Sequence, residues 1–89
     1  MTFLLAAQAA QFNVRANAIC PGSIPSDIHA SWSEEQFAEI RAGILLAGEG
    51  SHGAGTPQDI AEVALFLAAP TSRWITGTVI TVNGGQLMR

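Results

Sequence analysis

Apolar positions along the chain change their spacing from one segment to the next, and those changes predict its elements. From Thr2 to Phe12, Ala and Leu dominate without Gly or Pro, and Gln8 and Gln11 are the main polar interruptions. This predicts a helix apolar on nearly every side, the kind that is buried from several directions. No residue before Thr2 caps its first amides, so it reads like the back half of a longer helix, with Asn13 as its stop. Val14, Ala16, Ala18 and Ile19, interrupted by Arg15 and Asn17, then read as a buried strand. Pro21-Gly22 is expected to end it, because Pro offers no N–H and Gly accepts backbone angles that other residues avoid. The polar, turn-rich Ser23-Ile24-Pro25-Ser26-Asp27 follows at the strand's carboxyl end, where open α/β sheets hold their ligands.

Helical spacing returns at Phe37, Ile40 and Ile44, behind a capping box of Ser33 and Gln36 with two acids between them. Trp32 is the expected staple residue. The stretch decays into a Gly-rich loop, Ala47 to Gly55, before the clearest helix signal: Thr56 as N-cap, Pro57 at the first helical position and Asp59 at the third. Ile60, Val63, Ala64 and Leu67 form its apolar stripe, widened by Ala61, Leu65 and Ala68, with Gln58, Asp59 and Glu62 left for solvent. Pro70 stops it. A turn at Trp74-Ile75-Thr76-Gly77 leads to the β-branched strand Thr78-Val79-Ile80-Thr81-Val82, closed by Asn83-Gly84-Gly85. Helix, strand, lid helix, helix, strand is one parallel crossover with its preceding helix, so the fold class is α/β and the connection is expected to be right-handed.

Composition narrows the function classes. The chain is 48% hydrophobic and only 12% charged, an unusual balance for 89 residues, because a small domain has proportionally more surface to solvate. It reads as a part of something larger. A net charge of −3 and four scattered arginines argue against a nucleic-acid footprint. The single cysteine excludes an internal disulfide and fits a reducing cytoplasm. The apolar start lacks a basic leader and is too short for a signal peptide or a membrane span. Tyr and Lys are absent altogether.

Four apparent chemistries do not meet their structural requirements. Gly48-x-Gly50-x-x-Gly53 has the spacing of a dinucleotide fingerprint, but that mechanism needs a strand directly before it and a helix opening within it. Here it reads as a lid hinge. Cys20 at a strand end is expected to be a small hydrophobe rather than a nucleophile served by His29 or His52, and these residues have no metal-ligand spacing. Glu34 and Glu35 are neighbours, which point different ways on a helix, so they suit its N-terminus rather than a carboxylate pair.

The phrases RANAICPGSI, GTPQDIAEVALFLAAP and WITGTVITVNGG, in this order and spacing, resemble the last third of short-chain dehydrogenase/reductase chains. The resemblance covers nearly the whole chain. It implies the C-terminal part of a doubly wound Rossmann-type parallel sheet, a single partial domain over residues 1–89 with a substrate lid at 27–55. Family members transfer hydride between NAD or NADP and an alcohol or carbonyl, using a Ser, a Tyr and a Lys. Those residues and the Gly-rich first turn would lie N-terminal to everything present, which places Met1 just beyond the family's Lys. By resemblance, Pro21, Gly22, Ile24 and Ser26 form the cofactor-binding loop. The Ile24 backbone would meet the nicotinamide carboxamide, and the Ser26 hydroxyl, where Thr is usual, would bond the cofactor. Gly53 stands near a position often held by Arg, and Asn83 replaces a common Asp while still able to accept backbone hydrogen bonds. The implied function is that of a C-terminal segment of an NAD(P)-dependent oxidoreductase of small molecules, inactive and without cofactor by itself. The rival expectation is a non-catalytic interaction subunit or truncated remnant that self-associates or pairs with a missing N-terminal half, with no part for membranes or nucleic acid.

Overall fold

The structure is a computed structural model that describes residues 1–24, 32–50 and 53–86. Its elements run α1 (Thr2–Ala9), β1 (Ala18–Pro21), α2 (Glu34–Ala42), α3 (Pro57–Ala68) and β2 (Val79–Val82). The two strands lie side by side and parallel, in register Ala18 to Val79 through Pro21 to Val82. The chain is thus α/β, with α3 packed against β1 inside the crossover.

Capping chemistry explains the helix boundaries. Ser33 and Gln36 close a reciprocal box at the start of α2, and Thr56 and Asp59 do the same for α3 behind Pro57. The Trp32 and Phe37 rings stand 5.6 Å apart, joining the residue before the cap to the fourth helical position as a staple does. Asn13 halts the first helical segment in the left-handed conformation, φ 56°, after a final 3₁₀ turn at Ala10–Phe12. At the end of α3, the buried Ser72 hydroxyl donates to the carbonyls of Leu67 and Ala69. Arg15 donates to the same Leu67 oxygen at 2.8 Å and to Ile75 O at 3.0 Å. A cation at a helix C-terminus, where carbonyls lack intrahelical partners, is favourably placed.

Two expectations need correction. The first strand does not occupy Val14 to Ile19; pairing begins at Ala18 and continues through Pro21. The preceding residues face the turn before β2 instead. Gly77 N donates to Ala16 O, Thr76 Oγ1 accepts from Ala16 N, and Asn17 bridges Ile75 O and the Thr78 amide. Pro21 is tolerated because it stands last, and the next bond comes from Gly22 N to Val82 O at 3.1 Å.

The second correction concerns burial. Only Ala6, Ile44 and Ala54 are buried apolar residues among those described, while Phe3, Leu4, Leu5, Phe12, Val14, Leu65 and Phe66 are exposed. Neither the all-round apolar α1 nor the strand is enclosed: among the described residues β1 pairs with β2 alone, while α1 sets Phe3 and Ala6 against Gly77. The α3 stripe is half-buried at Ile60, Val63 and Leu67, and exposed at Ala64.

Candidate functional site

The carboxyl ends of both strands open on one side, and the segments leaving them meet there. Gly22 runs so close to the turn after β2 that a Cβ on it would lie 2.5 Å from Asn83 Cβ. Ser23 N donates to Gln86 Oε1 at 3.0 Å. Beyond it, the Ile24 Cδ1 reaches Gly55, where a Cβ would lie 2.8 Å from it. The loop is therefore wedged between the turn after β2 and the residues that open α3.

The segment after α2 closes the third side. Gly84 O accepts from both Leu45 N and Leu46 N, at 3.0 and 2.9 Å. Gly84 and Gly85 have φ of 61° and 83°, backbone angles that only glycine adopts freely, and they let Ile44 and Leu45 press onto the turn. Asn83 secures that turn: its Oδ1 accepts from Gly85 N and its Nδ2 donates to Gln86 O. The amide nitrogen performs a donation that an Asp carboxylate at this position would lack.

These three walls surround a cavity of about 420 Å³. Its apolar side comprises Ile24, Ile44, Leu46, Ala47 and Val82; Ser23, Glu49, Asp59 and Asn83 supply the polar side chains. Asp59 Oδ2 is already engaged by the amide and hydroxyl of Thr56. No Arg is among the described residues that line it. With two carboxylates and an apolar wall, such a lining suits a largely apolar group better than a phosphate.

The fingerprint-spaced glycines bond within their own loop. Gly48 N donates to Gly53 O, Gly50 N to Ala54 O and Gly53 N to Gly50 O, so these amides serve the loop itself rather than an anion. Arg41 covers Gly53: a Cβ there would come 2.5 Å from its Nε, while its Nη1 donates to Ile44 O. Of the loop residues expected to meet a cofactor, Gly22 and Ile24 line the cavity and Pro21 stands just behind them as the last residue of β1. Ser26 lies outside the described residues, as do His29 and His52. Cys20 is exposed at the strand end. Sequence reasoning did not find Gln86, whose bonding partner is 63 positions away and leaves no local signal.

A family model described as enoyl-(acyl carrier protein) reductase matches residues 1–86. The chain is 40% identical over 88 residues to 3-oxoacyl-(acyl-carrier-protein) reductase FabG of Rickettsia bellii, covering 99% of this chain and 34% of that protein. It is 37% identical over 73 residues to the 7alpha-hydroxysteroid dehydrogenase of Escherichia coli K12, with 82% and 27% covered. A crystal structure of 3-oxoacyl-(acyl-carrier protein) reductase from Brucella melitensis superposes with TM-score 0.85 and 33% identity over 99% of this chain and 31% of that one. Hydroxysteroid dehydrogenase from Escherichia coli superposes with TM-score 0.86 and 31% identity, over 98% and 35%. The chain thus spans about a third of the length of the curated relatives it matches. Agreement in sequence and in backbone from one end of the described chain to the other places it in the short-chain dehydrogenase/reductase family.

Proposed function

We propose that this chain supplies the nicotinamide-side loop and the substrate lid of an NAD(P)-dependent oxidoreductase acting on an alcohol or carbonyl. The observation that carries the reading is the wedged Gly22–Ile24 loop at the carboxyl ends of two adjacent parallel strands, opening on a cavity with no basic residue among the described residues that line it. Ligands of open α/β sheets sit at that end. The apolar wall suits the nicotinamide ring, and the self-bonded glycine loop leaves pyrophosphate binding to another part of the fold. Pro21, Gly22, Ile24 and Ser26 are the cofactor contacts, and residues 27–55 are the lid over a small-molecule substrate. The relatives' names point to oxoacyl and hydroxysteroid substrates, both carbonyl–alcohol pairs. In such a reaction, hydride passes from the reduced nicotinamide to the carbonyl carbon and a proton passes to its oxygen. These 89 residues contain no Tyr and no Lys to deliver that proton, so by themselves they do not turn over. Cys20 as the single, unpaired cysteine fits a cytoplasmic setting.

The test is a graft. Joined behind the amino-terminal two-thirds of the Rickettsia bellii reductase, the chain should support oxidation of NADH or NADPH by an oxoacyl thioester or a ketone. A folded graft that transfers no hydride to any such carbonyl counts against the assignment.

A second reading is favoured by the exposed apolar side chains on α1 and by β1, which pairs only with β2 among the described residues. An open strand edge and a contiguous apolar face both promote association. In this reading the chain self-associates, or pairs with a polypeptide that carries the amino-terminal half of the fold.

A further inference from the structure

We propose that Gln86 is the positioning residue for the Ser23–Ile24 backbone, and through it for the group held in the cavity; its consequence for cofactor binding rests on the oxidoreductase reading. Gln86 Oε1 accepts the Ser23 N–H at 3.0 Å. The residue offering that acceptor is itself fixed at both ends of its backbone. Gln86 N donates to Asn83 O at 3.0 Å, and Gln86 O accepts from Asn83 Nδ2 at 2.8 Å. With Gly85 N on Asn83 Oδ1, the turn is closed on itself and presents the Gln86 side chain from a rigid base.

Gly22 makes the approach possible. A Cβ there would lie 2.9 Å from Gln86 Oε1 as well as against Asn83. Consecutive amides of the loop are thus divided between two acceptors, Gly22 N going to Val82 O and Ser23 N to Gln86. The next residue, Ile24, lines the cavity and packs on Gly55. Gln86 is not itself among the lining residues, so its influence on a ligand passes through Ser23. Without the acceptor, a half-buried amide loses its partner and the rim is free to relax. Affinity should then suffer while the chemical step does not.

Gln86→Met removes the acceptor at similar length, and Gln86→Glu retains it. In the 89-residue chain, amide hydrogen exchange at Ser23 should quicken by about five- to tenfold in the Met variant and return in the Glu variant, a factor typical of one hydrogen bond. The Gly22 amide, held by Val82, is the internal reference. In the active graft, the Met variant should raise the Michaelis constant for the reduced cofactor by a similar factor with kcat nearly unchanged, and Glu should reverse it. Unchanged exchange at Ser23 overturns the assignment, as does a fall in kcat at constant cofactor affinity. Loss of protection at all amides together, or failure of Glu to restore, reduces Gln86 to a support of the fold and overturns it equally. An inactive parent graft with Ser23 exchange still dependent on Gln86 rejects the oxidoreductase reading while leaving Gln86's hold on the loop established.

Discussion

Gly22 and Asn83 are in contact with no room between them: a Cβ on Gly22 would lie 2.5 Å from Asn83 Cβ and 2.8 Å from its Cα. Both belong to segments leaving neighbouring parallel strands, and their contact sets how closely the cavity's two main walls converge. The obstacle includes main chain, so it cannot swing aside as a flexible side chain would.

Gly22→Ala should therefore destabilise the chain by about 1–3 kcal/mol, the usual cost of forcing atoms into a filled space. Urea unfolding of parent and variant measures it. A variant as stable as the parent, with the Ser23 amide equally protected, would show that the contact yields without consequence.

Arg15 ties the segment before β1 to the end of α3 and the turn before β2, through Leu67 O and Ile75 O. Arg15→Met should cost about 2 kcal/mol, because hydrogen bonds from a charged donor exceed neutral ones and both carbonyls lose it. Arg15→Lys should recover only part, since an ammonium on a flexible stem does not reproduce the fork of the guanidinium. Thermal or urea midpoints of the three proteins give the ranking.

At the start of α3, Thr56→Ala removes the side-chain acceptor for Asp59 N and the hydroxyl donated to Asp59 Oδ2. The loss should be about 1 kcal/mol, with Thr56→Ser close to the parent. Equal stability of the Ala and Ser variants would contradict a capping role.

Exposed apolar surface predicts behaviour in solution. Phe3, Phe12 and Trp74 are 75%, 72% and 95% exposed, and α1 adds Leu4 and Leu5. The 89-residue chain should self-associate at micromolar concentration and bind an apolar dye, both diminishing when Phe3 and Leu4 are changed to Ser and Gln. Sedimentation reads the first and fluorescence the second. A well-folded monomer that binds no dye would remove the basis of the association reading.

Much of this was legible from local pattern. Ser33 with Gln36, Thr56 with Pro57 and Asp59, Asn13 as a stop and the β-branched run at Val79–Val82 all appear where short-range chemistry places them. Each depends on residues within about one helical turn or one strand, a range over which backbone geometry is set by the side chains themselves. The resemblance carried by the Pro-Gly loop and the Gly-Thr-Pro helix start was likewise readable, because it resides in residue order.

Tertiary structure decided the rest. Strand pairing starts at Ala18 rather than Val14 because Ala16 and Asn17 bond to the turn before β2, some sixty positions away. An apolar residue records that burial is favourable but not that a partner surface is present to provide it, so α1 remains largely exposed despite its composition. Gln86 joined the site for a similar reason: an acceptor acquires its role from the amide brought opposite it, and only the parallel pairing of β1 with β2 brings Ser23 there.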